Sequence, residues 1–392
     1  MLTELSRGQF KMSCITPIVR YYQIQSPEDK LAGLKAFATI VPRSTVYNRL
    51  EANNNYLRAV QNKNQELIEQ GSLMRYQLLP CGKCWACRLK YSAEWASRLM
   101  WELPYHDSAY YLTLTYDEEH VPIYESFKYI DSDGQEEIYE NDGTWSGTLE
   151  PEHMTKFIKR LRKNLKKQGI KYFYCGEYGN EGGKHINEDG QITNSMGYRP
   201  HYHMILFGAP LDIKKFYDTH IDPKHKKCHW KSKELDELWG MGFVDVAEVE
   251  WSDCAYVARY CMKKINNDND PREYAKKGKI PEFIRMSRNP GIGVRYYNEH
   301  KEHIYETDSV VQKTVKGNTS TFKPPSAFDR RLRNENPELY EQIKESRQAC
   351  AERSRRLKEE INKGISDLEM LQRETEKIIQ KGNMLKRVVD FD

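Results

Sequence analysis

Apolar residues in the middle of the chain recur with two periods, one typical of strands and one typical of helices. Four segments rich in β-branched and aromatic residues predict strands: AYYLTLTY (109–116), KYFYCGEYG (171–179), HYHMILFG (201–208) and GFVDVAEVE (242–250). Apolar positions at helical spacing predict helices over 85–102, 149–169, 229–240 and 251–265. Because a polar loop joins the two central strands, these strands can pair antiparallel. The pattern predicts an α+β fold, a two-layer sandwich with a central antiparallel sheet.

The flanking regions have a different pattern. Residues 117–147 carry turn signals and predict an irregular insertion or a hairpin, and residues 268–325 show little periodicity. From Ser326 to Met384 the chain is dominated by charged residues, Gln and Leu, which predicts a long charged helix or a helical pair. We therefore expect an N-terminal region of uncertain fold over 1–80, a main domain over 81–310 and a charged helical tail over 326–392. The tail is a candidate for homo-oligomer formation.

Composition adds two constraints. The chain has 392 residues and a net charge of only +4, which does not by itself indicate a nucleic-acid partner. It contains 26 Tyr against 12 Phe, and tyrosine suits stacking on single-stranded nucleic acid as well as core packing. No apolar run approaches the roughly 20 residues that span a bilayer, and the N-terminus lacks the apolar segment of a signal peptide. We expect a cytoplasmic protein with no membrane partner.

Two histidines at the start of a predicted strand form half of a metal site. His201 and His203 are two residues apart, so their side chains project from the same face of the strand. Glu177 ends the preceding strand and adds a carboxylate if the two strands are neighbours. Such a set can bind Mg²⁺ or Mn²⁺ and keep positions open for phosphate oxygens. The alternative is a pair of polar residues at a strand end and a surface turn residue.

Two tyrosines on a predicted helix are candidate nucleophiles. Tyr256 and Tyr260 are four residues apart and lie on one face of the helix, with Lys263 and Lys264 directly after them. Attack of a tyrosine on a phosphodiester needs a phenol near the phosphate, a metal and cationic help. Core packing of the tyrosines is the alternative.

A cysteine cluster predicts a second metal site. Cys81, Cys84 and Cys87 in PCGKCWAC can converge on one ion, and zinc takes four ligands. Cys14 is our first choice for the fourth ligand, with Cys228 and His229 as a second choice. An iron–sulfur cluster and buried free thiols are the alternatives.

Basic residues crowd one predicted helix. Eight cations lie between Lys156 and Lys171, which is more than a solvated helix face needs. Phosphate contact is one interpretation, and an ordinary exposed helix is the other. The residues we expect to contact nucleic acid are Lys159, Arg160, Lys163 and Lys264.

The ordered motifs resemble those of HUH endonucleases. HYH at 201–203 resembles the paired-histidine motif, YVARYCMK at 256–263 resembles the double-tyrosine motif, and TLTY at 113–116 is similar to the strand motif that precedes them. Across roughly residues 80–295 the chain resembles more closely the replication initiators of gokushovirus-type microviruses, which are small single-stranded DNA phages. The motifs that carry this resemblance are PCGKCWACRLKYSAEWASRLMWE, YYLTLTYDEEHVP, GEYG, RPHYHMILFG and EFIRMSRNPGIG.

The resemblance implies a fold, a reaction and partners. It implies the HUH endonuclease fold, which is ferredoxin- or RRM-like. It implies a rolling-circle initiator that nicks single-stranded origin DNA, keeps a 5′-phosphotyrosine, frees a 3′-hydroxyl for host polymerase and helicase machinery, and rejoins the strand. It also implies roles for six residues: metal ligands His201, His203 and Glu177, nucleophiles Tyr256 and Tyr260, and positioning cation Lys263. The site of action is then the cytoplasm of a bacterial host.

Two other functions fit the sequence. A conjugative or mobilisation relaxase shares the chemistry but usually has a longer histidine cluster than this pair. A zinc-stabilised DNA-binding protein without enzymatic activity would use the same histidines structurally.

Overall fold

The structure is a computed structural model. It describes residues 18–23, 38–41, 74–82, 84–131, 133–141, 147–166, 169–179, 185–186, 192–193, 199–221, 227–263, 271–313, 319–361 and 364–365, with isolated positions up to 380. Contacts divide the chain into two units, one over 91–306 and one from 1–90 together with 307–391.

Seven antiparallel strands form the main sheet of the unit over 91–306. In spatial order they are β11 (Tyr217–Ile221), β12 (Cys228–Lys231), β13 (Gly242–Glu248), β4 (Ala109–Tyr116), β10 (Pro200–Phe207), β7 (Lys171–Tyr178) and β14 (Phe283–Met286). Two antiparallel pairs lie outside it: β5 (Ser126–Ile130) with β6 (Glu136–Glu140), and β8 (His185–Ile186) with β9 (Ile192–Thr193). The helices are α1 (Trp85–Glu102), α2 (Pro151–Asn164), α3 (Lys233–Trp239), α4 (Trp251–Lys263), α5 (Pro271–Ala275) and α6 (Val294–Glu306). The α+β class and the antiparallel central sheet are confirmed.

Helices cover both faces of this sheet. On one face α2 and α3 pack against the even-numbered residues of β4 and β10, and this cluster includes Leu112, Leu114, Met204, Phe157 and Trp239. On the other face α1 and α4 pack against odd-numbered residues, and this cluster includes Tyr111, Phe173, Ile205, Leu99 and Val257. The expectation of two layers is therefore wrong. Strands β7 and β10 are buried along nearly their whole length, and a strand that is apolar on both sides needs cover on both.

Helix α2 begins where its sequence signals indicate. The Glu150 side chain accepts a hydrogen bond from the backbone N–H of Glu152, and Pro151 occupies the first turn. The buried hydroxyl of Tyr202 accepts from the backbone N–H of Glu150 at 2.7 Å and donates to its carbonyl at 3.0 Å. The residue between the two histidines thus fixes α2 on the face of the sheet opposite to them.

Two segments differ from the sequence-based expectation. The segment 229–240 begins as strand β12, and helix α3 starts only at Lys233, after Ser232 caps it through the backbone N–H of Leu235. Cross-strand pairing with β13 overrides the helical spacing there. Residues 268–325, which lack periodicity, contain α5, β14, α6 and the antiparallel pair β15 (Val310–Lys313) and β16 (Thr319–Phe322). The insertion over 117–147 contains the hairpin β5–β6.

The second unit contains a small sheet and a helical pair. Strands β2 (Ala38–Val41), β1 (Ile18–Gln23) and β3 (Met74–Leu79) pair antiparallel in that order. Helices α7 (Ser326–Glu335) and α8 (Pro337–Ile361) follow each other in the charged region. Arg347 of α8 binds the carboxylates of Asp308, at 2.9 Å, and Asp329 of α7, at 2.7 Å. In the described parts of the chain, no helix is both long and apolar enough to cross a membrane.

Candidate metal and nucleophile site

Three neighbouring strands carry the polar residues of one face of the sheet. In the antiparallel register Glu177 of β7 lies directly opposite His201 of β10, and His203 lies directly opposite Thr113 of β4. Directly opposed residues have Cβ atoms about 5 Å apart, so their side chains touch. Gly176, the residue before Glu177, points to the other face, where an added Cβ would lie 3.0 Å from Leu149 and 3.1 Å from Tyr202. Glycine at this position allows close packing under Glu177.

One carboxylate oxygen holds both imidazoles. Glu177 Oε1 lies 2.7 Å from His201 Nε2 and 2.9 Å from His203 Nε2. Glu177 and His203 are buried and His201 is partly buried. The ligand atoms of the three residues all lie within 4.8 Å of one another. The structure therefore brings together the three residues that the sequence suggested as metal ligands.

The other ring nitrogens are fixed from outside this cluster. His201 Nδ1 lies 3.0 Å from the carbonyl oxygen of Arg199, which can only accept, so Nδ1 carries the proton. His203 Nδ1 contacts the hydroxyls of Tyr111 at 2.7 Å and Thr113 at 3.1 Å. Partners of this kind set the tautomer of metal-binding histidines. A neutral His201 thus turns the lone pair of Nε2 toward the carboxylate, an arrangement that calls for a cation between them.

The electrostatics of Glu177 favour a cation as well. Burial opposes ionisation of this carboxyl, but hydrogen bonds from His201 and His203 outweigh it and hold its pKa well below the usual range. Burial lowers the pKa of His203. The second oxygen of the carboxylate, Oε2, is buried and has no hydrogen-bond partner among the described residues. A buried carboxylate oxygen without a partner and two imidazoles fit a divalent ion.

Tyr256 on α4 completes the cluster. Its hydroxyl donates to Glu177 Oε1 at 3.3 Å, and its ring packs edge-on against His203 with centroids 5.2 Å apart. The start of α4 is held by Asp253, which accepts from the backbone N–H of Glu250 at 2.7 Å and forms an ion pair with Lys227. A phenol hydroxyl is thereby placed beside the carboxylate–imidazole cluster.

The remaining residues of the tyrosine motif are described only in part. Tyr260 and Lys263 belong to α4, and their positions there follow from the helix backbone alone. Tyr260 lies about one turn beyond Tyr256, and Lys263 lies nearly one further turn along. Lys264 lies outside the described residues.

Three cysteines converge in the other unit of the chain. The thiol sulfurs of Cys81, Cys84 and Cys87 lie within 4.8 Å of one another. The backbone N–H of Cys84 donates to Cys81 Sγ at 3.2 Å, which favours a thiolate at Cys81. The geometry is compatible with a shared ion. Cys14, the first choice for a fourth ligand, lies outside the described residues.

The basic residues of α2 divide into two groups. Arg160 donates to the carbonyl oxygens of Leu238 and Trp239 at 2.7 and 2.8 Å and so ties α2 to the end of α3. Lys159 is exposed on the helix surface. Lys163 lines an open cleft of about 720 Å³ between the end of α2 and residues 287–290.

The cleft contains basic residues that the sequence analysis did not single out. Arg162, Lys166 and Arg288 line it together with Lys163 and Lys171, and none of the described residues that line it is acidic. Arg288 lies in the loop after β14, far from α2 in sequence, so only its fold position reveals it. Tyr111 and Thr113, which hold His203, were likewise missed, although they belong to the strand AYYLTLTY.

Comparison with known proteins places this cluster in a family context. A family of replication-associated proteins, described by the name ORF2, matches residues 109–186 and 192–265. This range contains Glu177, both histidines and both tyrosines, but not the cysteine cluster. No solved structure matches the chain.

Three viral proteins are similar to this chain. It is 37% identical over 284 residues to "Replication-associated protein ORF2" of Spiroplasma virus 4, which covers 70% of this chain and 75% of that relative. It is 27% identical over 241 residues to "Replication-associated protein VP4" of Bdellovibrio phage phiMH2K, covering 59% and 61% of the two chains. It is 26% identical over 239 residues to "Replication-associated protein ORF4" of Chlamydia phage 1, covering 59% of this chain and 49% of that relative.

Proposed function

The chain belongs to the ORF2 family of replication-associated proteins, and on that premise we propose that it initiates phage DNA replication by nicking a single-stranded origin. The observation that carries the proposal is the convergence of Glu177, His201, His203 and the Tyr256 hydroxyl at one point on the sheet. A phenol beside a metal-competent cluster is what tyrosine attack on a phosphodiester requires. The proposal assigns the sheet to the HUH endonuclease fold.

The metal set is His201, His203 and Glu177. A divalent ion such as Mg²⁺ or Mn²⁺, bound there, would polarise the scissile phosphate and offset its developing negative charge. The chain's own contribution is orientation: Tyr111 and Thr113 hold the ring of His203. Burial of Glu177 keeps solvent away from the carboxylate, which strengthens its electrostatic interactions.

Tyr256 is the residue we assign to the first attack. Its hydroxyl oxygen attacks the phosphorus, a Tyr–O–P bond forms, and the P–O3′ bond breaks. The phenol loses one proton to water and the departing 3′ oxygen takes one from water, so one phosphodiester replaces another without an external energy source. The 5′ phosphate stays on the tyrosine, and the free 3′-hydroxyl primes host polymerase and helicase machinery.

Tyr260 and Lys263 complete the cycle in this proposal. Tyr260 lies on the same helix as Tyr256 and receives the strand at the end of a round, after which attack by the 3′-hydroxyl rejoins a circle. Lys263 supplies positive charge near the phosphate. Lys264 and the basic cleft of Lys163, Lys166 and Arg288 contact the DNA backbone. The reaction takes place in the cytoplasm of the infected bacterium.

Zinc is the metal that we propose for the cysteine cluster. Thiolates suit zinc, and three converging sulfurs leave one position for a fourth ligand, for which Cys14 remains our candidate. Such a site would stabilise the unit that contains Cys81, Cys84 and Cys87. A homo-oligomer formed through the charged C-terminal helices is part of the same proposal.

The test is the formation of a covalent protein–DNA adduct. Labelled single-stranded oligonucleotides that tile the phage genome are incubated with the full chain and Mn²⁺, and adducts are separated on a denaturing gel. We expect an adduct with at least one oligonucleotide and none after the metal is chelated. The double variant Tyr256→Phe/Tyr260→Phe serves as the control. DNA binding without any adduct would refute the nicking reaction and favour a DNA-binding protein stabilised by zinc.

A further inference from the structure

A second group of histidines and a carboxylate lies at the edge of the main sheet. His220 of β11 pairs directly opposite His229 of β12, and His229 pairs opposite Ala247 of β13, two residues beyond Asp245. Since residues i and i+2 of a strand project from the same face, all three polar side chains lie on one face. The pattern is not visible in the sequence, because His220 and Asp245 belong to strands separated by a third.

The contacts in this group resemble those around Glu177. The carboxylate of Asp245 holds both imidazoles, through a hydrogen bond with His229 Nδ1 and through His220 Nε2 at 3.8 Å. His220 Nδ1 faces the carbonyl oxygen of Asp218 at 3.4 Å, which leaves Nε2 to face the carboxylate. The two imidazole rings lie 5.3 Å apart at 31°, and one ligand atom from each residue lies within 4.8 Å of the others.

The group shares a face with the catalytic cluster but stands apart from it. Asp245 lies directly opposite Thr113, and Thr113 lies directly opposite His203. The two clusters are therefore two strand spacings apart, which is roughly 10 Å. Metal ions that act together on one phosphate lie about 4 Å apart, so this group cannot form a binuclear centre with Glu177.

We propose that His220, His229 and Asp245 bind a second divalent metal ion, of the zinc class. Two imidazoles and one carboxylate suit zinc and neighbouring transition metals better than magnesium, which prefers oxygen ligands throughout. The ion ties the edge hairpin of β11 and β12 to β13, which stabilises the end of the sheet. The His220 side chain is 51% exposed, so the site opens to solvent and keeps a coordination position for water or a phosphate oxygen.

The test measures zinc binding to the full chain with competition from a chromophoric chelator. Metal-free wild type is compared with His229→Ala and with the conservative variant Asp245→Asn. We expect each variant to bind one zinc ion fewer per chain, or to bind that ion at least tenfold more weakly. His303→Ala, which removes an exposed histidine of α6, serves as the matched control and retains the wild-type stoichiometry.

Two further measurements separate this site from the others. His203→Ala should change binding at the catalytic cluster and leave the zinc ion at His229 in place, so the losses add in the double variant His203→Ala/His229→Ala. Zinc should also raise the melting temperature of wild type by more than that of Asp245→Asn. Equal stoichiometry, affinity and zinc-induced stabilisation in wild type and Asp245→Asn would overturn the proposal, whether or not the chain nicks DNA.

Discussion

The hydroxyl of Tyr256 lies 3.3 Å from Oε1 of Glu177, although the two residues are 79 positions apart in the sequence. The contact exists because α4 packs on the same face of the sheet as the odd-numbered residues of β7. That relationship distinguishes Tyr256 from Tyr110, which lies on the opposite face.

Tyr256→Phe should slow the first nicking step at least tenfold, equivalent to about 1.4 kcal/mol of transition-state stabilisation. The ring packing against His203 is preserved in this variant, so the protein should fold as wild type does. Initial rates of adduct formation are compared with those of Tyr260→Phe, which we expect to retain more activity. Each single variant keeps some nicking and the double variant none. Full activity of the double variant would contradict the assignment of both tyrosines.

Tyr111→Phe should weaken metal binding at the catalytic cluster by roughly 10- to 100-fold, because it removes the hydroxyl that orients His203. Manganese affinity can be measured by electron paramagnetic resonance of the free ion. Tyr110→Phe is the matched control, since it changes the same group on the same strand but on the other face. Equal manganese affinity in the two variants would argue against an orienting role for Tyr111.

Lys163→Gln and Arg288→Gln should each weaken binding of single-stranded DNA and reduce the salt dependence of binding. Every lost phosphate contact lowers the slope of log K against log salt by about 0.7 for a single strand. Fluorescence anisotropy at several salt concentrations measures this slope. Lys156→Gln, on the same helix but outside the cleft, should leave the slope unchanged. A cleft that does not contact DNA would show the same slope in all three variants.

Cys84→Ser should lower the zinc content of the purified chain by about one ion relative to wild type. Its midpoint of thermal unfolding should fall as well, because binding of a structural metal contributes to folding. Cys350→Ser, at an exposed position of α8, is the control for removing a thiol. Identical zinc content in Cys84→Ser and wild type would rule out a cysteine-bound zinc ion.

Glu102→Gln should reduce the free energy of unfolding by about 3 kcal/mol, since breaking a buried ion pair leaves a charge without its partner. Glu102 is 1% exposed and binds Lys171 at 2.7 Å. The pair Lys128 and Glu136 is as short, 2.6 Å, but is 66% and 58% exposed. We therefore expect Glu136→Gln to cost less than about 0.5 kcal/mol in chemical denaturation. Similar losses in both variants would show that burial does not set the strength of these pairs.

The same carboxylate makes stability depend on acidity. Burial raises the pKa of Glu102, but hydrogen bonds from His106, Lys171 and the backbone of Gly293 outweigh it, so the net pKa is lowered. A lowered folded-state pKa contributes stability that is present above the unfolded value of about 4.3 and is lost as the pH falls through the folded value. The stability difference between wild type and Glu102→Gln should therefore shrink below about pH 4.

Local sequence pattern was sufficient where packing agreed with it. The four strands AYYLTLTY, KYFYCGEYG, HYHMILFG and GFVDVAEVE form within one or two residues of their expected bounds, because both of their faces are apolar enough to be buried. Strand β12 and helix α6 were missed, because their formation depends on neighbours far away in the chain. The second cover layer was missed for the same reason.

The sequence by itself determined the strand and helix types, the common face of His201 and His203, and the spacing of Tyr256 and Tyr260, because side-chain direction follows from the backbone period. Only the tertiary structure decided which of these residues meet. It placed Glu177 opposite His201 and brought Tyr256 over His203, while it turned Arg160 inward to the end of α3. These outcomes depend on strand register and on which face a helix covers, and both are set by the packing of the whole sheet.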